Sequence, residues 1–338
     1  MWRHRGLPAI VLLAVIAAGL LVAPAPPTGA LPTPPTGTYR NPVVAADFPD
    51  PYVFNDHGTY VAMATNANGP NIQILTSPDL RTWVLHRDAL PALPRWAVPG
   101  RTWAPSMVRA STGYVLYYTA HHRTGGISCI GRAHALSAVG PFVDTNPVPL
   151  VCQSGYRGGS IDPSPYVDKY GRPWLVWKSE GTAGIEPTRI WSRPLRLDGL
   201  EFEGPATELL RTDQAWEGPI IENPSFVHAG GKLLLFYSGG RWQDGSYAVN
   251  WAHCHGLAGP CTKNAGPWLR TGPVAAGPGG QDFFRDPGGR LWMSYHAWDP
   301  GRVGYANGGV RSLRIDRVVM QNGAPVLYGP THTPVPFG

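Results

Sequence analysis

The sequence predicts an all-β protein, a five-bladed β-propeller with four-stranded blades around a central funnel. Three observations carry this. Gly 42 and Pro 37 are abundant among 338 residues, with 13 Trp and 14 Tyr, a mixture that suits many short strands joined by turns and offers little to long helices. A unit made of a turn, a short apolar strand, a glycine and a second, aromatic-rich strand is written five times. The units start at Asp50, Trp103, Asp162, Glu222 and Gln281, which are 53, 59, 60 and 59 residues apart, and repeats of about 50–60 residues with four strands each are the mark of a propeller.

The units read in order as "DPYVFNDHGTYVAMA" from Asp50, "WAPSMVRASTGYVLYYTA" from Trp103, "DPSPYVDKYGRPWLVWK" from Asp162, "ENPSFVHAGGKLLLFYSG" from Glu222 and "QDFFRDPGGRLWMSYHAW" from Gln281. Runs such as "IQILTSPDLRTWVLH" and "IGRAHALSAVGPFVD" lie between them and supply the outer strands, several with Ser-Pro or Gly-Pro turns. The propeller is expected over 39–338. A sandwich with acids scattered over its turns would show no such period.

In a propeller the first strand of each blade lines the channel, so the residue that leads each unit projects into one shared funnel. That set is Asp50, Trp103, Asp162, Glu222 and Gln281. Three carboxylates converging beside a tryptophan repel one another and raise their pKa values. Cleavage of a glycosidic bond by acid and base needs this division: one ionised carboxylate to deprotonate water, one protonated carboxyl to supply the leaving oxygen. A single Asp-Pro is an ordinary turn signal; three acids in register across repeats are not. The long loops 240–250 and 299–313 are expected to shape the funnel, with Arg311 in the second. His296, in the aromatic strand of the fifth unit, joins Trp103, Gln281 and Arg311 as an expected substrate contact.

The N-terminus reads as an export signal over 1–30. Arg3 and Arg5 precede an apolar stretch from Ile10 to Val22, and Thr28-Gly29-Ala30 offers small residues for cleavage. Thirteen apolar residues are too few to span a bilayer comfortably, so an extracellular, secreted protein with no membrane attachment after cleavage is expected. A disordered lead is expected over 31–38. Without the two signal arginines the net charge falls from +6 to +4, and no basic run with interleaved aromatics suggests nucleic acid. Four cysteines in an exported chain imply disulfides. Proximity favours Cys129–Cys152 and Cys254–Cys261, and His253-Cys254-His255 lacks the second ligand pair of a zinc site.

The stretches "NPVVAADFPDPYV" (41–53), "TWAPSM" (102–107), "GSIDPSPYVDKYGRPWLVWK" (159–178) and "EGPIIENPSF" (217–226) together resemble glycoside hydrolase family 43. The resemblance implies a five-bladed propeller acting on arabinose- or xylose-containing plant polysaccharides or oligosaccharides with inversion at the anomeric carbon. It implies Asp50 as general base, Asp162 as the carboxylate that tunes the acid's pKa, and a glutamate as general acid. Glu217-Gly-Pro and Glu222-Asn-Pro both match the family motif. Glu222 is favoured because it stands before Gly230 and "KLLLFYSG" as an acid opening an inner strand should, which leaves Glu217 in the preceding loop. Many relatives carry a metal-holding histidine in a Gly-Pro-Gly-His stretch. Here the chain reads Gly277-Pro278-Gly279-Gly280-Gln281, so a structural calcium ion in the central channel finds no support and no cofactor is expected to be required.

The competing function is a non-catalytic sugar-binding propeller, which would keep the aromatics but need not keep three funnel acids. A serine hydrolase lacks its Gly-x-Ser-x-Gly elbow here, and the fructan-cleaving propellers carry a Glu-Cys pair absent from this chain. A monomer is expected.

Overall fold

The computed structural model describes Met1 and residues 32–67, 69–155 and 158–337; residues 2–30 of the expected export signal lie outside the described residues. The aromatic-rich runs become the second strand of each blade: Thr59–Ala64, Gly113–His122, Pro173–Ser179, Lys232–Gly239 and Leu291–Trp298. Successive side chains of a strand point to opposite faces, and both faces of these strands are buried. Leu234 and Phe236 pack toward blade five, while Leu235 and Tyr237 pack toward blade three. Leu175 and Trp177 likewise face blade two, and Val176 faces blade four. This is why the runs are continuously apolar rather than alternating.

Each blade is an antiparallel meander that starts at the axis. Blade one runs Tyr52–Asp56, Thr59–Ala64, Gln73–Ser77, Val84–Leu85; blade three Ser160–Val167, Pro173–Ser179, Arg189–Pro194, Thr207–Arg211. Blade four runs Ile221–Ala229, Lys232–Gly239, Ala248–Cys254, Cys261–Lys263; blade five Ala276–Arg285, Leu291–Trp298, Ser312–Gln321, Ala324–Tyr328. Blade two has three regular strands, Ala97–Ala110, Gly113–His122 and Ser128–Ala135. Its outer edge is covered by single bridges, Val143 to His134 and Val151 to Ile130. The first strands pack on one another around a ring that closes from blade five to blade one. Hydrophobic clusters fill the five seams between blades, for example Met63 and Ile74 against Met107 and Leu116, or Val53 and Tyr60 against Trp292 and Ile315.

Both expected disulfides are present, Cys129–Cys152 and Cys254–Cys261. The first ties the irregular edge of blade two to its third strand; the second joins the outer two strands of blade four at facing positions.

Of the lead expected over 31–38, residue 31 lies outside the described residues. Residues 32–38 lie along blade five: Thr38–Tyr39 pairs with Val335–Pro336, Arg290 Nη2 donates to the Pro35 carbonyl at 3.1 Å, and the Phe337 amide donates to the Gly37 carbonyl at 3.0 Å. Prolines give no amide to a sheet but keep their carbonyls as acceptors, and blade five supplies the donors. The ring is latched at Asp316, on the third strand of blade five. Its carboxylate accepts from Tyr39 (3.3 Å), Asn41 (3.2 Å), Thr331 (2.7 Å) and Tyr295 (2.7 Å). Asn41 also pairs with the Ile315 backbone through both its amide atoms, at 2.7 and 3.0 Å.

Burial raises the Asp316 carboxyl to about 6, against the stabilising hydroxyl donors. Truncation strands several buried donors at once, each costing about 1–3 kcal/mol and not simply additive. Asp316→Ala is therefore expected to destabilise the propeller by about 3 kcal/mol or more, read from urea unfolding. A loss within about 0.5 kcal/mol, the usual range for surface substitutions, would mean that the latch does not hold the ring.

Candidate active site

Every inner strand enters the axis through a residue of left-handed backbone: Asp50 (φ 53°), Ala104 (φ 43°), Asp162 (φ 57°), Asn223 (φ 47°) and Gly280 (φ 58°). Four of the five precede a proline. In blades two to five the ladder to the second strand slips at this place, between Trp103 and Ser106, opposite Val176 to Lys178, between Glu222 and Ser225, and between Gly279 and Asp282. Such irregularities re-aim a side chain. The one-per-blade set is corrected accordingly. Asp50 and Asp162 are equivalent to Ala104, Asn223 and Gly280, whereas Trp103 and Glu222 stand one residue earlier and Gln281 one later. Gly280 is required where it stands, because a Cβ there would lie 2.6 Å from the His296 ring and 2.9 Å from Asp50 Oδ1.

On the axis these residues leave a space of only about 20 Å3, enough for about one water. Beside it opens a cavity of about 480 Å3 lined by Asp50, Asp162, Glu222, Trp103, Trp242 and Arg311, among others, within the usual size of a ligand site. The structure thus brings together all three carboxylates singled out in the sequence, with Trp103 and Arg311.

Asp50 accepts from Thr65 Oγ1 at 2.6 Å and from Asn223 Nδ2 at 3.2 Å, and Arg311 Nη1 stands 3.8 Å from Oδ1. Asp162 is buried and accepts the Asn223 amide at 3.0 Å; its own amide donates to Thr119 Oγ1 at 3.0 Å. Glu222 accepts from Lys178 Nζ and from the Tyr247 hydroxyl, each at 2.8 Å. Lys178, fully buried, also reaches Glu180 Oε2 at 3.0 Å. Burial first, then the charges of Glu222 and Asp50, push the Asp162 carboxyl well above the usual carboxylate range, against Lys178 and the Asn223 amide. Burial disfavours the Lys178 ammonium, but Glu222, Glu180 and Asp162 outweigh it and hold Lys178 above its ordinary value. The far wall is aromatic: the Arg311 guanidinium stacks 4.3 Å from the Trp242 ring, and its Nε donates to the Tyr305 hydroxyl at 3.1 Å.

Three expected residues lie outside this cavity. Glu217 is fully buried, and its four hydrogen bonds come from Lys263 (2.6 Å), the Tyr237 hydroxyl (2.8 Å) and the amides of Asp213 (2.9 Å) and Gln214 (3.1 Å). Gln281 is spent on Ser238 and the Asn223 carbonyl, both at 2.7 Å. His296 sits beneath Asp50: Nδ1 accepts the Asp50 amide at 3.0 Å, which puts the ring proton on Nε2, and burial, with Arg311, pushes its pKa well below the ordinary value. Among the described residues no group of three or more His, Cys, Asp or Glu side chains is placed to hold a metal ion.

Sequence reasoning missed Asn223, Lys178, Tyr247 and Thr65. Asn223 was within reach, since aligning the X-Pro dipeptides Asp50-Pro51, Ala104-Pro105, Asp162-Pro163 and Asn223-Pro224 puts it in register and asparagine tolerates left-handed backbone. A lysine inside "WLVWKS" was the signal for Lys178. Tyr247 and Thr65 carried none.

The family model for glycosyl hydrolases family 43 matches residues 39–325. Over 328 residues the chain is 23% identical to the extracellular endo-alpha-(1->5)-L-arabinanase 1 of Bacillus subtilis, covering 92% of this chain and 95% of the relative. It is 26% identical over 269 residues to a beta-D-galactofuranosidase of Aspergillus niger, covering 75% and 72%. Among solved structures, a thermostable family-43 glycoside hydrolase superposes with a TM-score of 0.79 at 27% identity, covering 88% of this chain and 98% of its own. With its ring of five blades and its matched motifs, the chain belongs to glycosyl hydrolases family 43 and is an O-glycosyl hydrolase.

Proposed function

We propose that this hydrolase cleaves arabinose- or xylose-containing plant polysaccharides or oligosaccharides outside the cell, by a single displacement that inverts the anomeric carbon. The observation that carries the reading is the wiring of one residue. Asn223 donates its side chain to Asp50 and its amide to Asp162, and its chain neighbour is Glu222. Three carboxyls with different surroundings are thereby held around one cavity, which a sugar-binding module would have no need to maintain. The substrate class is supported by the arabinanase relative, and export by that relative's extracellular character together with the apolar stretch Ile10 to Val22.

In this reading Asp50 takes a proton from water as the water oxygen bonds to the anomeric carbon. Glu222 gives its proton to the departing glycosidic oxygen as the old bond breaks; solvent afterwards restores both groups. Asp50 suits the base because it lines the cavity with a guanidinium and two neutral donors around its carboxylate. Glu222 suits the acid because it lines the same cavity as Asp50, with the Asp162 carboxyl beside it. Glu217 does not suit it, since its lone pairs are taken and it lies outside the cavity. Trp103 and Trp242 offer faces for sugar rings.

The roles separate by leaving group. A dinitrophenyl glycoside hardly needs protonation, so Glu222→Ala is expected to cost about 10²–10⁴-fold on arabinan or xylan and far less on the activated substrate. Asp50→Ala should slow both alike. A Glu217→Ala enzyme with the leaving-group dependence, beside an active Glu222→Ala enzyme, would reverse the assignment.

The pH profile tests the electrostatics with two opposite signs. Asp162→Asn removes a negative charge next to the acid, so the alkaline limb of kcat/KM should move to lower pH. Lys178→Gln removes a positive charge next to the same acid, so that limb should move to higher pH. Limbs that move together, or stay where they are, would show that neither residue tunes Glu222.

Proton NMR of the first product should show the anomer opposite to that of the substrate. Retention would remove Asp50 from the role of base.

A further inference from the structure

A second cavity, of about 690 Å3, lies at the seam of blades three and four. Its walls are the turns that end the inner strands, Asp168 to Arg172 in blade three and Gly231 with Lys232 in blade four, together with the 255–259 loop. Asp162 and Asp168 are six residues apart along the inner strand, which places the cavity about 20 Å from the carboxylate end, on the opposite side of the propeller. The Cys254–Cys261 disulfide closes the 255–259 loop at its base, so this wall is held in place.

Its chemistry is distinct. Tyr166, Tyr170 and Trp174 line it, and the Tyr170 ring is 69% exposed. Trp174 leaves its indole N–H with no hydrogen-bond partner, an expensive omission for a buried donor. The lining charges are predominantly basic: Lys169, Arg172 and Lys232, with the imidazoles of His253 and His255 tilted against each other at 5.5 Å. The single lining carboxylate, Asp168, is taken by Arg172 at 2.9 Å. Lys169 is exposed and makes no ion pair among the described residues; its ammonium lies 5.0 Å from the Tyr170 ring.

We propose that this cavity binds an acidic saccharide, a chain segment bearing uronic acid carboxylates, and so docks the enzyme on its polymer away from the carboxylate funnel. An exposed aromatic face such as that of Tyr170, with half-buried Tyr166 and Trp174 beside it, can stack on sugar rings. A neutral sugar would account for the tyrosines and the tryptophan but not for the unpaired lysine and the imidazoles. A carboxylate accounts for both, as acceptor for Lys169 and for the N–H donors of the wall.

Calorimetric titration of the full-length mature protein with oligogalacturonates, beside neutral arabino-oligosaccharides, tests this. The wild type should bind oligogalacturonate, with affinity falling as salt rises. Tyr170→Ala and Lys169→Glu should each weaken binding by about tenfold or more, with unchanged melting and unchanged turnover of an aryl arabinofuranoside. Absence of oligogalacturonate binding overturns the proposal, and so does binding that survives both substitutions. Equally tight binding of arabino-oligosaccharides that both substitutions abolish overturns the acidic class. Because the readout is binding, it stands or falls separately from the assignment of the funnel carboxyls.

Discussion

The left-handed residue at the head of each inner strand is the constraint from which the site follows. A left-handed backbone costs about 1–2 kcal/mol for an ordinary L-residue and less for Asp and Asn, whose short polar side chains bond locally. Four of the five positions are met by Asp50, Asp162, Asn223 and Gly280, the residue types that tolerate it best; Ala104 bears the cost without that relief. In blades two to five the turn also breaks the ladder to the second strand, and Asp50, Asp162 and Glu222 all line the cavity. Strain of this kind persists only where its surroundings over-determine it, and here five inner strands pack on one another in a closed ring.

Three acids can share so small a space because the molecule sinks a cation among them. Lys178 has no water to return to, and its contacts at 2.8 and 3.0 Å go to Glu222 and Glu180. Tyr247, stacked on His296 with centroids 5.7 Å apart, completes the Glu222 environment with a neutral donor. Glu217 shows the same pairing: a buried glutamate with a lysine at 2.6 Å, but with four donors on its carboxylate and outside the cavity that the other three acids line. What separates Glu222 from Glu217 is the cavity that Glu222 lines.

Rigid and adaptable parts of the funnel come from different places. The carboxylates stand on inner strands locked between two seams. Trp242 and Tyr305 stand on the connections between the second and third strands of blades four and five and meet through Arg311, with Asp47 accepting from both the Tyr305 hydroxyl and the Arg311 amide. The cavity is thus lined by residues of two origins, inner strands and the connections carried by them, and binding residues are disproportionately found on such connections.

The period of the apolar runs determined the blade number by itself, because a strand buried on both faces must be apolar throughout and a blade cannot bury its faces alone. The disulfide pairs followed from proximity, and Asp50, Asp162 and Glu222 were legible as acids leading a repeated unit. The docking of residues 32–38 was not, since proline-rich segments carry no periodicity and their acceptors matter only once blade five presents its donors. Nor was the register among blades, because a one-residue slip at a bulge leaves the spacing of the units almost unchanged while moving Trp103, Glu222 and Gln281 off the shared position. Which glutamate faces a cavity, and that Asn223, Lys178 and Tyr247 surround it, was decided by tertiary structure alone: those contacts join residues from 25 to 173 positions apart, and the longest of them, Asn223 to Asp50, needs the ring to close.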